Sequence, residues 1–113
     1  MTDTSEHLLV MTTCPDETVS ASLAHDLVEA GCIACANIVS GIRSIYRWKG
    51  ETESARECLL LMKTTRGRYS DLEREIRARH PYELPELIAV PISAGFDDYL
   101  QWVNDSTCGA RSG

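Results

Sequence analysis

Two long β-rich segments joined by a short turn constrain the fold of this chain more than any other feature. Residues 33–48 are rich in Ile, Val, Tyr and Trp, and residues 53–65 form a second extended segment. The sequence Lys-Gly-Glu at 49–51 supplies the turn between them, and we expect a bend at Gly41. The pattern therefore predicts a long antiparallel hairpin in the middle of the chain.

The predicted hairpin is too long for its own subunit to cover. Strands of about 13 residues rise about 3.3 Å per residue, so the hairpin would reach about 40 Å. The preceding helix, about 14 residues at about 1.5 Å each, covers only about 21 Å of it. Ile42, Ile45, Tyr46 and Trp48 lie near the uncovered end. Because uncovered strand edges invite pairing, we expect an obligate homo-oligomer, unless a break at Gly41 shortens the hairpin enough for a monomer.

The remaining segments alternate around this hairpin. They are a strand at His7–Thr13, a helix that starts within residues 15–18 and stops at Gly31, a helix at Arg66–Arg79, a strand at Glu86–Ile92, and a short final helix through Phe96, Tyr99, Leu100 and Val103. The order βαββαβ plus one helix is typical of an α+β protein with a ferredoxin-like sandwich. Pro91 cannot donate to a strand ladder, which places the fourth strand at a sheet edge.

Length and charge limit the class of protein. The 113 residues fit a single domain over 1–113, with an ordered core over about residues 7–104 and a tail at 105–113 that we expect to be disordered. A net charge of −6 argues against nucleic acid as a partner. No apolar run could span a membrane, and the N-terminus lacks the basic segment of a signal peptide. Five cysteines, an odd number, favour reduced thiols and a cytoplasmic location.

The stretch richest in functional groups is His-Pro-Tyr-Glu-Leu-Pro-Glu at residues 80–86. Each proline fixes its own φ and keeps the preceding residue out of helical geometry, so this loop is rigid without being regular. His80, Tyr82 and Glu86, together with Glu57 of the third strand, supply nitrogen and oxygen groups that suit a cation. The simpler interpretation is a stiff connection that carries a hydrogen-bonded histidine.

Other motifs give weaker signals. Cys32 and Cys35 form a CxxC pair, but it follows a helix C-terminus, where the helix dipole disfavours a thiolate, and no second ligand pair completes a zinc site. We expect Cys35 to pack into the sheet as a small residue. Lys63 follows an apolar run and either extends to the rim or faces a pocket as an anion partner. No nucleotide-binding, hydrolase or zinc-protease motif is present, so we predict no enzyme and no organic cofactor.

Four motifs in register carry a resemblance to a known family. They are Cys35–Ile38, Ser44–Gly50, Glu57 with Leu59–Thr64, and His80–Glu86. Through them, the chain from Leu8 to Asn104 resembles the CutA-type divalent-cation tolerance proteins. The resemblance implies a ferredoxin-like fold, a tight homotrimer, and a role in tolerance of copper and other divalent ions. It also implies a cleft between subunits, for which the candidate residues are Lys63, Tyr82, Glu86, Glu57 and Trp48, beside His80 and Cys35.

The candidate metal ligands depart from the pattern of this family. Bacterial members reported to bind copper carry a cysteine in the first strand and two adjacent histidines before the Pro-Tyr pair. Here Thr12 stands at the expected cysteine position, the thiol is displaced to Cys14, and the histidine pair is reduced to Arg79 and His80. Only His80 matches the family pattern, so the metal hypothesis takes His80 as the nitrogen ligand and Cys14 or Cys35 as the thiolate, with Cu²⁺ or another divalent cation as the ion.

Three functions remain open at this point. The first is a trimeric metal-binding protein that uses the ligands above. The second is a small-molecule or nucleotide sensor similar to the trimeric PII proteins, with Lys63, Tyr82 and Glu86 at the subunit clefts. The third is a structural trimer that anchors another protein, for which the sequence names no partner.

Overall fold

The fold is known from a computed structural model, which describes residues 6–108. Its elements are β1 (His7–Cys14), α1 (Glu17–Glu29), β2 (Cys35–Trp48), β3 (Glu51–Thr65), a 3-10 turn (Arg66–Arg68), α2 (Tyr69–Arg79), β4 (Ile88–Pro91) and α3 (Asp97–Cys108). The strands form one antiparallel sheet in the order β2-β3-β1-β4. This is the ferredoxin-like βαββαβ arrangement with a C-terminal helix, so the predicted fold class is confirmed.

The hydrophobic core lies between one face of the sheet and helices α1 and α2. Alternate residues of β1 and β3 are buried, and directly opposite residues such as Val10 and Met62 share the face that carries the helices. Leu27 of α1 and Ile76 of α2 pack onto this face. Burial of such a side chain contributes about 1.5–3 kcal/mol. The packing therefore fixes which side chains of β1 and β3 face the helices.

Local signals set both ends of α1, as the sequence predicted. Asp16 has an extended backbone, with φ −159° and ψ 175°, and its carboxylate accepts a hydrogen bond from the Val19 amide at 2.9 Å. An N-cap contact of this type contributes about 1 kcal/mol. Gly31 follows the helix with φ +72°, a left-handed conformation that ends a helix at little cost for glycine.

The central hairpin is as long as the sequence predicted. β2 spans 14 residues and β3 spans 15, whereas α1 spans 13. The strand register shifts between Val39 and Ile42, where Gly41 has φ +76°, so the predicted bend is a β-bulge. Lys49 and Gly50 both have positive φ and form a two-residue turn that matches the twist of the strands.

Beyond the bulge, the hairpin exposes apolar side chains. Ile45 is 70% exposed and Tyr46 is 44% exposed. The long hairpin with an uncovered apolar end is thus present in the single chain. The homo-oligomer expected from it remains a prediction.

The fourth strand is shorter than predicted. β4 covers Ile88–Pro91 rather than Glu86–Ile92, and the Glu86 carbonyl accepts a hydrogen bond from the Thr12 hydroxyl at 2.6 Å. The Thr12 side chain therefore supplies the hydrogen bond to the Glu86 carbonyl for which the sequence predicted a backbone partner in a strand. β4 lies at the edge of the sheet, as Pro91 indicated.

The last helix is longer than predicted. α3 continues through Cys108, so the expected disorder is wrong for residues 105–108. Thr107 is fully buried and its hydroxyl donates to the Val103 carbonyl at 2.9 Å, so packing keeps this polar segment helical. Residues 109–113 of the predicted tail lie outside the described residues.

Candidate functional site at the end of the sheet

The loop at residues 80–86 closes one end of the sheet beside the last residues of β1. α2 ends at Arg79, because Pro81 keeps His80 out of helical geometry, with φ −71° and ψ 138°. The His80 amide still donates to the Ile76 carbonyl at 2.8 Å. The chain turns at this point, and the imidazole is buried against β1.

His80 is held by both of its ring nitrogens. Nε2 lies 2.7 Å from the Thr13 carbonyl oxygen, and the Tyr82 amide donates to Nδ1 at 3.1 Å. A carbonyl can only accept and an amide N–H can only donate. We therefore assign the proton to Nε2, and the lone pair of Nδ1 accepts the Tyr82 amide. In this arrangement neither nitrogen offers a lone pair to a cation.

Cys14 lies next to this imidazole at the end of β1. Its Sγ atom is 3.8 Å from His80 Nε2, and the side chain is fully buried. Burial raises the pKa of the Cys14 thiol, and a hydrogen bond with Ser20 offsets this only in part. The sulfur is therefore a neutral thiol at neutral pH. Two of the three predicted metal ligands, Cys14 and His80, are thus in contact.

Tyr82 and Glu57 make a second polar contact at this end of the sheet. Tyr82 Oη donates to Glu57 Oε2 at 2.5 Å, and the centroids of the Tyr82 and His80 rings are 4.8 Å apart. Burial and the Glu57 carboxylate raise the pKa of the Tyr82 phenol, so it remains the donor. Since Glu57 is buried in β3, this contact supplies a partner for a carboxylate that has little access to water.

The loop is fixed at its far end by Thr12, a residue that sequence reasoning did not include in the site. The Thr12 hydroxyl contacts the backbone carbonyl of Glu86, whereas the Glu86 side chain is exposed. Thr12 occupies a core-facing position of β1 between Val10 and Cys14, where a hydroxyl requires a hydrogen-bond partner. The alternation of β1 was the signal that could have identified it.

Cys35 and Lys63 lie on the other face of the sheet. They are direct partners across β2 and β3. Successive residues of a strand point to opposite faces of the sheet, and Lys63 is five residues from Cys58, so Lys63 points away from the helices that Cys58 faces. Cys35 Sγ is 3.7 Å from the Tyr99 hydroxyl of α3, and Lys63 Nζ donates to Asn37 Oδ1. The sheet therefore separates Cys35 from Cys14 and His80 within one subunit.

Trp48 lies at the far end of the hairpin. It pairs with Glu51, six residues along β3 from Glu57, which corresponds to about 20 Å. Lys49 Nζ lies 5.6 Å from the centroid of the Trp48 ring. Trp48 therefore takes no part in the polar contacts at the loop end of its own chain.

The donor groups near the loop do not form a complete metal site in a single chain. Within residues 6–108, no group of three or more His, Cys, Asp or Glu side chains is arranged to hold a metal ion. The same part of the chain contains no helix long and apolar enough to cross a membrane. Fold and site together define a ferredoxin-like α+β protein with a projecting hairpin and a histidine loop that closes one end of its sheet.

The chain is similar in fold and sequence to divalent-cation tolerance proteins. Residues 8–106 match the family described as CutA1 divalent ion tolerance protein. The chain is 44% identical to the divalent-cation tolerance protein CutA of Thermus thermophilus, over 88% of this chain and 96% of that protein. A solved structure of the Thermus protein has a TM-score of 0.87 and covers 89% of this chain and 98% of its own. This chain belongs to the CutA1 divalent ion tolerance family.

The full-length curated relatives from eukaryotes are longer than this chain. The chloroplastic CutA protein of Arabidopsis thaliana is 40% identical over 88% of this chain, and the chain spans 55% of that protein's length. The solved CutA1 structure from Oryza sativa is 36% identical, with a TM-score of 0.88, and covers 91% of this chain and 94% of its own.

Proposed function

We propose that this protein supports tolerance of divalent cations as a homotrimer that binds Cu²⁺ or another divalent cation near its subunit clefts. The observation that carries the metal proposal is the 3.8 Å contact between Cys14 Sγ and His80 Nε2. A thiolate and an imidazole are the donors that copper and zinc favour among the common biological metals. Membership of the divalent ion tolerance family supports the same conclusion.

Metal binding at this pair requires a local rearrangement. A metal on Nε2 replaces the proton that the Thr13 carbonyl accepts, and the neutral ring then carries its proton on Nδ1. A protonated Nδ1 cannot accept from the Tyr82 amide, so that hydrogen bond breaks. The Cys14 thiol also releases its proton, and its pKa is raised by burial. We therefore expect affinity to increase with pH and binding to loosen the loop at Tyr82.

Two donors leave coordination positions open. We propose that water or groups from a neighbouring subunit complete them, in a cleft that also includes Glu57, Glu86, Lys63, Trp48 and Cys35. The sheet separates Cys35 and Lys63 from His80 within one chain, so these residues would reach the cleft from a second subunit. The exposed apolar end of the hairpin supports such contacts between subunits, because apolar area removed from water favours association.

Zinc calorimetry on matched variants tests the metal proposal. Zn²⁺ is redox-inactive, so it does not consume the thiols, whereas Cu²⁺ can oxidise them directly. His80→Gln retains an amide donor for the Thr13 carbonyl but removes the imidazole, and His25→Gln makes the same change at an exposed position of α1. We expect His80→Gln and Cys14→Ser to weaken binding at least tenfold and His25→Gln to leave it unchanged. Equal isotherms for wild type and His80→Gln would remove His80 from the site.

A second candidate function rests on a groove of about 530 Å³ between α2 and the loop. Arg74 and Arg77 of α2 and Tyr82 of the loop line it together with the carboxylates of Glu73 and Glu83, and its volume is in the range of about 300–1,000 Å³ typical of ligand sites. Arginine suits phosphate, which favours a PII-like sensor of nucleotides or other anions.

A thermal-shift screen separates the two candidates. Stabilisation by nucleotides without any effect of zinc would favour the sensor, and no effect of either would favour a structural trimer that anchors a partner.

We further propose that the protein acts without catalysing a reaction and that it is cytoplasmic. Its family is one of divalent-cation tolerance proteins, and the net charge of −6 disfavours nucleic acid as a partner. The Arabidopsis relative is named as chloroplastic, so location varies within the family. Fractionation of the source cells with an antibody against this chain tests the location.

A further inference from the structure

Cys14 and Cys58 form a pair of buried thiols on the sheet face that carries the helices. They are direct partners at the last register position between β1 and β3, and both are free cysteines. Opposite residues of antiparallel strands lie about 4.5–5.5 Å apart between Cα atoms, within the about 4.4–6.8 Å that disulfides span. We propose that a two-electron oxidant such as hydrogen peroxide converts this pair into an intramolecular disulfide, and that the bond acts as a reversible redox switch.

Side chains around Cys58 provide a route for its proton. Cys58 Sγ donates to Ser40 Oγ at 4.0 Å, and Ser40 Oγ in turn donates to the Glu17 carboxylate. Ser40 adjoins the β-bulge, and both Ser40 and Glu17 are exposed, so the route leads from a buried thiol to water. Cys58 is 4% exposed and Cys14 is fully buried, so the oxidant reaches Cys58 first.

The chemistry balances with one peroxide and two thiols. The Cys58 thiolate attacks a peroxide oxygen, the O–O bond breaks, and the leaving hydroxide takes up the thiol proton to form water. The resulting sulfenic acid is attacked by Cys14 sulfur, the S–O bond breaks, and the departing hydroxide takes the Cys14 proton as a second water. Each sulfur loses one electron, and the peroxide gains two. A dithiol reductant reverses the bond by two exchange steps.

The disulfide would change the environment of His80. Its formation removes the Cys14 thiol that lies 3.8 Å from His80 Nε2. It also links β1 covalently to Cys58, which is next to Glu57 in the chain. We therefore expect the oxidised protein to bind zinc at least tenfold more weakly than the reduced protein. That consequence rests on the proposed function, whereas disulfide formation itself requires no metal.

Peptide mapping of the full chain tests the pairing directly. The reduced protein is treated with one equivalent of hydrogen peroxide, the remaining thiols are alkylated, and the chain is cleaved after glutamate. Cys14 then lies in residues 7–17, Cys32 and Cys35 lie together in 30–51, and Cys58 lies in 58–73. We expect a cross-linked species of 7–17 with 58–73, two fewer alkylated thiols, a monomer on non-reducing gels, and recovery with dithiothreitol.

Other products would overturn the proposal. A disulfide confined to 30–51, a bond between chains, or sulfinic acid at Cys58 without a cross-link would each do so. Cys32→Ser serves as the matched control, because it removes another buried thiol and should leave the cross-link intact. Ser40→Ala should slow cross-linking severalfold by removing the proton route. A wild-type rate in Ser40→Ala, with the cross-link still formed, would contradict the role of Ser40.

Discussion

The middle of strand β3 and the tip of the central hairpin have opposite characters. Near the loop, Glu57 and Cys58 are buried, and within residues 6–108 no buried side-chain nitrogen or oxygen lacks a hydrogen-bond partner. Beyond the bulge, the same hairpin exposes Ile45 and Tyr46. One hairpin thus supplies a closed polar segment with defined contacts in β3 and an open apolar tip in β2. We propose that the closed segment carries the chemistry and that the open tip mediates association.

The bulge at Gly41 divides these two regions. Its φ of +76° lies in the left-handed region, which glycine adopts with little strain. Ser40 and Gly41 together lie opposite Cys58, and this one extra residue in β2 places Ser40 beside Cys58 and shifts the register beyond it. Residues 51–54 of β3 are exposed and burial begins at Glu57, so the bulge in β2 lies beside the boundary between the exposed half of β3 and its packed half.

The largest effect is expected from the packed half. Leu60→Ala removes a fully buried side chain of β3 and should lower the free energy of unfolding by about 2–5 kcal/mol. Urea denaturation at fixed protein concentration measures the change. Thr52→Ala, at an exposed position of the same strand, should stay within about 0.5 kcal/mol of wild type. Equal losses in both variants would mean that the two halves do not differ as described.

A pair of tyrosines compares the two ends with one chemical change. Tyr82→Phe removes the donor to buried Glu57 and should cost about 1–3 kcal/mol of stability. Tyr46→Phe makes the same change on the exposed part of the hairpin and should cost far less. Thermal unfolding of both variants provides the measurement. A Tyr82→Phe variant as stable as wild type would show that the Glu57 carboxylate does not depend on this contact.

A smaller effect is expected from alkaline pH. The raised pKa of the Cys14 thiol means that the unfolded chain releases this proton first, so its contribution to stability is complete below about pH 9 and is lost as pH rises further. The raised pKa of Tyr82 acts in the same direction above about pH 10. Between pH 8 and pH 10.5, the free energy of unfolding measured by urea denaturation should decline less steeply for Cys14→Ala than for wild type.

The control for this pH effect is Leu60→Ala, which is destabilised without any change in titratable groups. Its free energy of unfolding should decline with pH at the wild-type slope. A steeper decline in Cys14→Ala than in wild type would contradict the assigned direction of the pKa shift.

Sequence patterns predicted the elements better than their contacts. The helix start at residues 15–18, the bend at Gly41 and the edge position of Pro91 follow from the local chemistry of these residues. The cross-strand pairing of Cys14 with Cys58 could not be predicted, because it depends on the register between two distant strands. The sequence therefore indicated which residues carry chemistry but not which of them meet.

Burial decided the cases in which the sequence was misleading. Thr107 lies in a polar segment with weak helix propensity, yet it is fully buried and helical. Cys35 was grouped with Cys14 as a ligand, although the two lie on opposite faces of the sheet. His80 was predicted as a metal ligand or a hydrogen-bonded histidine, and both of its nitrogens are hydrogen-bonded in this chain.

Light scattering coupled to size exclusion, repeated over a hundredfold dilution, tests most directly the claim that the open end of the hairpin is covered by other copies of the chain. We predict a molar mass three times the 12.5 kDa of one chain, unchanged on dilution, and a smaller mass for Ile45→Asp, while Thr52→Asp retains the wild-type mass. A mass of 12.5 kDa for the wild type at every concentration would contradict the claim.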